Sequence, residues 1–218
     1  MGLDFSVVPA YMNTILIGAL WTIAITLVAT VISILGGIFF AMIELYAHWF
    51  FRYPIKFFAW IFMGTPLLLQ LFLIYFGLIH IGIDLPAFVA GVIGLGLFYA
   101  VYNSELIQTA IVTIDKGQDE GARSLGLSKF QSIRKVILPQ AIRRVVPPIG
   151  NNVIALLKDS ALVSVIGVAE LIHMSQLAIS ETYRPFEFYI VAAVCYYIIN
   201  LFMEKVLRKV ERNVQIAK

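Results

Sequence analysis

The feature that most constrains this chain is a succession of long apolar runs whose connections alternate between poor and rich in Lys and Arg. A helix needs about 20 mostly apolar residues to cross the hydrocarbon core of a bilayer. Five stretches meet that length, from about Tyr11 to Ile43, Ile55 to Ile79, Pro86 to Ile114, Val145 to Ile172 and Phe186 to Val206. The segment before Tyr11 has no Lys or Arg, and neither has the connection from His80 to Leu85. The first connection carries Arg52 and Lys56. The third carries Lys116, Arg123, Lys129, Arg134, Lys135, Arg143 and Arg144, and the fourth carries Arg184 alone. The tail holds Lys205, Arg208, Lys209, Arg212 and Lys218. Cytoplasmic connections collect basic residues, so the pattern predicts five spans with the N-terminus outside and the C-terminus inside. The expected fold is an all-α, polytopic membrane protein, one transmembrane domain over residues 1–218 with no internal repeat.

Composition supports that reading. Only 13% of residues are charged while 61% are hydrophobic, against about 25% charged in water-soluble domains. The net charge of +3 follows the connections between spans, which argues against nucleic acid as a partner and for a lipid membrane. No Lys or Arg precedes the first apolar run, so that run lacks the basic start of a signal peptide and is expected to be retained as a helix. Cys195 is the single cysteine and cannot form an intrachain disulfide. His48, His80 and His173 are too far apart in sequence to suggest a metal site.

The stretch between about residues 115 and 144 is too patterned for a passive connector. Gly117 is suited to ending the third span. Asp119 to Leu125 then reads as a short helix ended by Gly126, and Ser128 with Gln131 fits a capping box that starts a second one. Phe130, Ile133, Val136 and Ile137 fall on one face of it, and Leu138-Pro139 is expected to close the unit. Pattern alone leaves two readings open, an amphipathic segment lying on lipid or a docking knob for a cytoplasmic partner.

The residues EGARSLGLSKFQSIRKVILP resemble the EAA loop of ABC importer permeases. Glu120, Ala122, Gly126, Leu138 and Pro139 stand at the matching spacing, with Gly121 for the first alanine and Val136 for the isoleucine. The flanking LPQAIRRVVPPIGNNVIALLKDSALVSVIG, with GTPLLLQ and IYFG upstream, is similar to the polar amino acid permeases of the histidine, glutamine and arginine type. Met63 and Gln108 stand where that family usually has arginines. The resemblance implies a bacterial cytoplasmic (inner) membrane location, a second permease subunit, an ABC ATPase subunit and an extracytoplasmic amino acid binding protein. It also implies that Glu120, Gly121, Ala122, Arg123, Leu125 and Gly126 form a coupling helix seated in the ATPase. The chain has no G-x-x-x-x-G-K-[ST] sequence. It is therefore expected to be a transport subunit rather than an enzyme and to bind no cofactor itself, with ATP-Mg on the partner.

Polar residues at membrane depth are costly and default to functional candidates. In the fourth span these are Asn152, Lys158, Asp159 and Ser160, with Lys158 about 13 residues beyond Val145, or about 20 Å along a helix. Lys158 and Asp159 read either as a charge network fixing helix packing or as contacts for a substrate carboxylate or ammonium. Asn152 reads as a substrate contact or as interhelical packing. Thr65, Pro66 and Gln70 are candidates to break the second span and line the pathway, and Glu105 must face the interior of the protein. The fourth span has no glutamate before Glu170, which leans toward a neutral polar amino acid over a cationic one. Two rival readings are a channel or facilitator, which has no use for the 115–144 unit, and an intramembrane enzyme using Ser160 or Ser164 with His173, which lacks a nucleophile signature.

Overall fold

The computed structural model describes residues 2–216, and Lys218 of the basic tail lies outside them. Helix α1 (Val8–Tyr46) follows a single 3₁₀ turn whose Ser6 N–H is capped by Asp4. Next come α2 (Trp49–Gly64), α3 (Leu67–Phe72) with one π turn and one 3₁₀ turn reaching Ile81, and α4 (Ala87–Val112). Two short helices, α5 (Lys116–Ser124) and α6 (Lys129–Ser132), lead through a π turn into α7 (Leu138–Asp159), which tightens to a 3₁₀ helix at Ser160–Ile166. Helices α8 (Leu171–Thr182) and α9 (Pro185–Ile216) complete the chain. No strand occurs among the described residues. Among the described residues four helices are long and apolar enough to cross a membrane, and five crossings result if α2 and the Leu67–Ile81 arm count as one span. The fold is all-α and polytopic.

The packing registers give the helix directions. Ile25 of α1 lies against Gly91 of α4, and Ser33 of α1 bonds Asn103 of α4, so these two helices run parallel. Helix α7 runs against α4, pairing Asn152 with Asn103, Asp159 with Tyr99 and Val163 with Gly91. Helix α8 runs against α1, since Leu171 meets Thr22 while Glu181 meets Tyr11. The start of α9 lies beside the start of α1, where Glu187 accepts the Asp4 N–H at 3.0 Å and Arg184 bridges Asp4 and Glu187. The main core joins Ile25, Leu71, Leu95, Leu156 and Val163.

Apolar side chains gain little by leaving lipid for a helix interface, so membrane helices associate through close packing and hydrogen bonds. Gly37 shows the first device. A Cβ built there would stand 2.7 Å from the Asn103 Cβ and 3.2 Å from the Ala100 carbonyl oxygen, so only glycine lets α1 and α4 approach this closely. Interhelical side-chain hydrogen bonds supply the second device.

Several boundaries differ from the sequence expectation. The second span is not one helix over Ile55–Ile79. Helix α2 starts at Trp49, and its axis meets the Leu67–Ile81 arm at 113°. Pro66 lacks an N–H and forces its predecessor out of the helical region; Thr65 accordingly has φ −123° and ψ 144°. Gly117 does not stop the third span, because α4 has already ended at Val112. It sits in the first turn of α5, where Asp115 accepts its N–H at 2.7 Å. Leu138-Pro139 does not close the cytoplasmic unit either. The helix widens just before the proline, the Leu138 N–H reaching Ile133 rather than the usual fourth carbonyl back. A π turn makes room for the ring, and α6 continues into α7.

The fourth span does not run to Ile172 as one helix. It stops at Ile166, where Gly167 takes φ +85° and Glu170 then caps α8. The fifth continues past Val206 to Ile216.

Candidate functional site

The 116–137 unit is held rigid from within. Gly126 at φ +84° ends α5, a conformation costing most L-residues about 1–2 kcal/mol. The Leu127 N–H reaches back to the Ala122 carbonyl at 3.2 Å. The capping box is present: Gln131 N–H donates to Ser128 Oγ at 3.3 Å, and Ser128 N–H donates to Gln131 Oε1 at 2.9 Å. The Ser132 hydroxyl donates to Asp119 and ties α6 to α5. Ala122 is buried in this bend.

One side-chain bond fixes the unit to the bundle: Gln140 Nε2 of α7 donates to Gln118 Oε1 at 3.2 Å. Beside it Arg144 of α7 donates to the Thr113 carbonyl at the end of α4 at 2.8 Å and ties those two helices together. Of the expected coupling residues, Glu120, Gly121, Arg123, Leu125 and Gly126 are exposed. Leu125 is 86% exposed and Phe130 is 69% exposed, so the unit presents apolar side chains among charges at its tip. Phe130 does not share the half-buried face of Ile133, Val136 and Ile137.

The polar residues at membrane depth fall into two groups. In the first, Asn152 donates to Asn103 Oδ1 at 2.9 Å, Asn103 donates to Ser33 Oγ at 3.2 Å, and Ser33 donates to the Thr30 carbonyl at 2.9 Å. This ladder links α7, α4 and α1. Asp159 accepts from the Tyr99 hydroxyl at 2.7 Å. Ser160 is fully buried and back-bonds the Leu157 carbonyl at 2.7 Å. Gln70 is buried and its amide donates to the carbonyls of Phe62 and Thr65 and to Thr65 Oγ1, which staples the bend beside Pro66. Its carbonyl oxygen is buried without a partner.

The second group is unpaired. Lys158 is exposed, turned away from its neighbour Asp159, and in none of the ion pairs among the described residues. Glu105 is not in the interior as expected: it is exposed on this chain and lines a cleft of about 270 Å³ between α1, α2 and α4, together with Glu44, Lys56, Trp60, Met63 and Gln108. Met63 and Gln108 are the two positions that depart from the arginines of the resembled family. The structure thus brings Asn152, Lys158, Asp159 and Ser160 onto one helix end, while Thr65, Pro66 and Gln70 form a separate bend and Glu105 stands in the cleft.

Sequence reasoning missed Tyr99, Asn103 and Ser33, although each is a polar group inside an apolar run, the signal that flagged Asn152. It also missed the lock at the start of α8. There the fully buried Glu170 accepts the His173 N–H at 2.8 Å and the Tyr196 hydroxyl at 2.7 Å, while Thr22 accepts the Leu171 N–H at 3.1 Å.

Relatives share this architecture along almost the whole chain. The arginine transport system permease protein ArtQ of Bacillus subtilis (strain 168) is 36% identical over 216 residues, 99% of each chain. The glutamine transport system permease protein GlnP of Escherichia coli (strain K12) is 34% identical over 218 residues, covering 99% of this chain and 100% of the relative. Among solved structures, an amino acid ABC transporter crystallised with histidines superposes with a TM-score of 0.91 at 39% identity, over 98% of this chain and 100% of that one. The inward-facing MetNI methionine ABC transporter, at 21% identity and a TM-score of 0.74 over 93% of this chain and 97% of that one, shares the fold. The family model of the binding-protein-dependent transport system inner membrane component matches residues 33–216. This multi-pass membrane chain therefore belongs to the family of binding-protein-dependent transport system inner membrane components.

Proposed function

We propose that this chain is the transmembrane permease subunit of an ATP-binding cassette importer for a polar amino acid, set in a bacterial cytoplasmic membrane with its N-terminus outside and its C-terminus inside. The observation that carries the reading is the 116–137 unit. It is stiffened by its own hydrogen bonds and pinned to α7 through Gln118 and Gln140, and it exposes Leu125 and Phe130. A segment that merely lay on lipid would need no such fixed attachment. A rigid tip continuous with a 38-residue helical run from Lys129 to Ile166 suits the transmission of a partner's movement into the membrane. The partner is a separate ATPase that carries ATP-Mg. Its closure on ATP moves the tip and biases the spans between inward-open and outward-open arrangements. A second permease subunit completes the pathway, and an extracytoplasmic binding protein delivers the substrate.

The substrate class follows the relatives, whose names refer to glutamine and arginine transport. Within the pathway, Lys158 and Asp159 stand nearest the middle of the crossing and Glu105 stands further toward the docking unit. Thr65, Pro66 and Gln70 shape the bend that borders it. Ser160 contributes packing rather than contact, and Asn152 orients α7 on α4.

The test is uptake of radiolabelled amino acids by proteoliposomes holding the chain and its co-purifying ATPase, with the binding protein outside. ATP-dependent accumulation of one or two polar amino acids is expected. Equal flux without ATP would mean a channel or facilitator and would refute the proposal.

A further inference from the structure

We propose that the cleft between α1, α2 and α4 is a second station for the substrate, binding the zwitterionic head of an α-amino acid on its way toward the docking-unit end of the bundle. This rests on the transport reading above and adds a site to it. The cleft holds about 270 Å³. At about 30 Å³ per water, an amino acid fits by displacing a handful of waters.

Its walls carry the complementary charges. Glu44 from α1 and Glu105 from α4 supply two carboxylates for an ammonium, and Lys56 from α2 supplies one ammonium for a carboxylate. None of the three enters an ion pair among the described residues. Glu44 stands in the last turn of α1 and Lys56 in the first half of α2, so with Glu105 three charges without an ion-pair partner face one cleft where water or a ligand can meet them. Gln108 donates its amide to Ser104 Oγ at 3.0 Å, which leaves its carbonyl oxygen to accept from the ligand. Trp60 and Met63 provide apolar wall for side-chain methylenes.

The position suits an exit. Glu105 lies six residues along α4 from Tyr99, the partner of Asp159, or about 9 Å closer to the docking unit. The end of α4 is tied to the start of α7 through Thr113 and Arg144, and α7 in turn holds the docking unit through Gln140 and Gln118.

Other occupants fit less well. Two carboxylates against one lysine repel the phosphate of an anionic lipid. A divalent cation would find an ammonium among its neighbours, and no group of three metal-ligating side chains gathers among the described residues.

Trp60 is a local reporter. The full chain is placed in nanodiscs with Trp21→Phe and Trp49→Phe, leaving Trp60 as the one tryptophan among the three in the chain. L-glutamine and L-arginine are titrated separately, with the corresponding decarboxylated amines as controls. We expect a saturable change in Trp60 emission with at least one amino acid, half-saturation shifted tenfold or more by Lys56→Gln and by Glu44→Gln, recovery in Lys56→Arg, and a much weaker response to the amine. No saturable change with either amino acid, or the same half-saturation in Lys56→Gln, overturns the proposal. Uptake by the reconstituted transporter is scored separately. Uptake without a Lys56-dependent Trp60 response sinks the second station alone, and absence of ATP-driven uptake sinks the transport reading itself.

Discussion

Leu125→Ala tests the docking unit most directly, because the structure separates its effect on binding from any effect on folding. Leu125 is 86% exposed, so truncating it removes almost no contact within the chain, and the stability of the isolated permease should stay within about 0.5 kcal/mol. If an ATPase buries that side chain, the truncation removes three carbons from the interface. At about 0.8 kcal/mol per buried CH₂, the loss is about 2.4 kcal/mol, or roughly 50-fold in dissociation constant at 1.4 kcal/mol per tenfold. The assay is binding of the co-purifying ATPase to nanodisc-embedded permease, read by surface capture beside a thermal melt of the permease alone. Coupled ATP turnover should fall in step with occupancy. Unchanged affinity and transport would refute docking through this tip. A large drop in melting temperature would refute the description of Leu125 as a free surface residue.

Three further perturbations follow from the packing. Asn103→Leu removes two interhelical bonds that average about 0.6 kcal/mol each in membrane proteins and reach about 1.7; unfolding of the reconstituted chain should show about 1–3 kcal/mol lost, and no loss would mean that the ladder joining Ser33, Asn103 and Asn152 is incidental. Gly37→Leu places a branched side chain where even a Cβ would lie 2.7 Å from its neighbour, so it should cost at least about 1–3 kcal/mol, whereas Gly121→Leu, with nothing within 4 Å, should melt like the parent and lower ATPase binding instead. Gln70→Leu removes the donors that staple Phe62 and Thr65; spin labels on α2 and near Ile79 should report a broader distance distribution, and an unchanged one would assign the 113° bend to Pro66 alone.

How much of this was legible in the sequence depended on the distance over which the cause acts. The crossings made by α1, α4 and α9 could be read because their apolar length is a property of the segment itself. The break beside Pro66 and the Gly126 turn could be read because the restriction on φ is local. The capping box of Ser128 and Gln131 belongs with them. The early stop of the fourth crossing also had a local signal, Gly167 followed by Glu170, but the surrounding residues are apolar and hide it in any average. Helix α8 was harder, since its 12 residues are too few to register as a span and it is held by Thr22, Gly18 and Tyr196 from distant segments. The pairing of Asp159 was invisible for the same reason. Adjacent helix positions face different ways, so the sequence calls for a partner other than Lys158 without naming it, and the carboxylate meets Tyr99, 60 residues away.

The sorting of polar groups separates what holds the bundle together from what it offers to other molecules. The Asn152–Asn103–Ser33 ladder, the Tyr99–Asp159 bond and the Glu170–Tyr196 bond each satisfy a group that lipid could not. They join α1, α4, α7, α8 and α9 at points where the side chains are wholly or partly buried, and they leave little there for a ligand. Lys158, Asn151, Glu44, Lys56 and Glu105 form no such links and lie open or half-open on the surface of this chain. Against hydrocarbon each ionised group among them would cost about 2.5–3.5 kcal/mol or more, a sum that would consume much of a typical domain's stability. Such faces need water or a partner beside them rather than lipid. In the proposed importer, a second permease subunit enclosing water against these faces would remove the cost and create a polar route. Of the helices that bear the open charges, α1, α4 and α7 are joined by the hydrogen-bonded core and α2 with Lys56 is not, so in the proposed importer a push on the tip would move α1, α4 and α7 as one connected body.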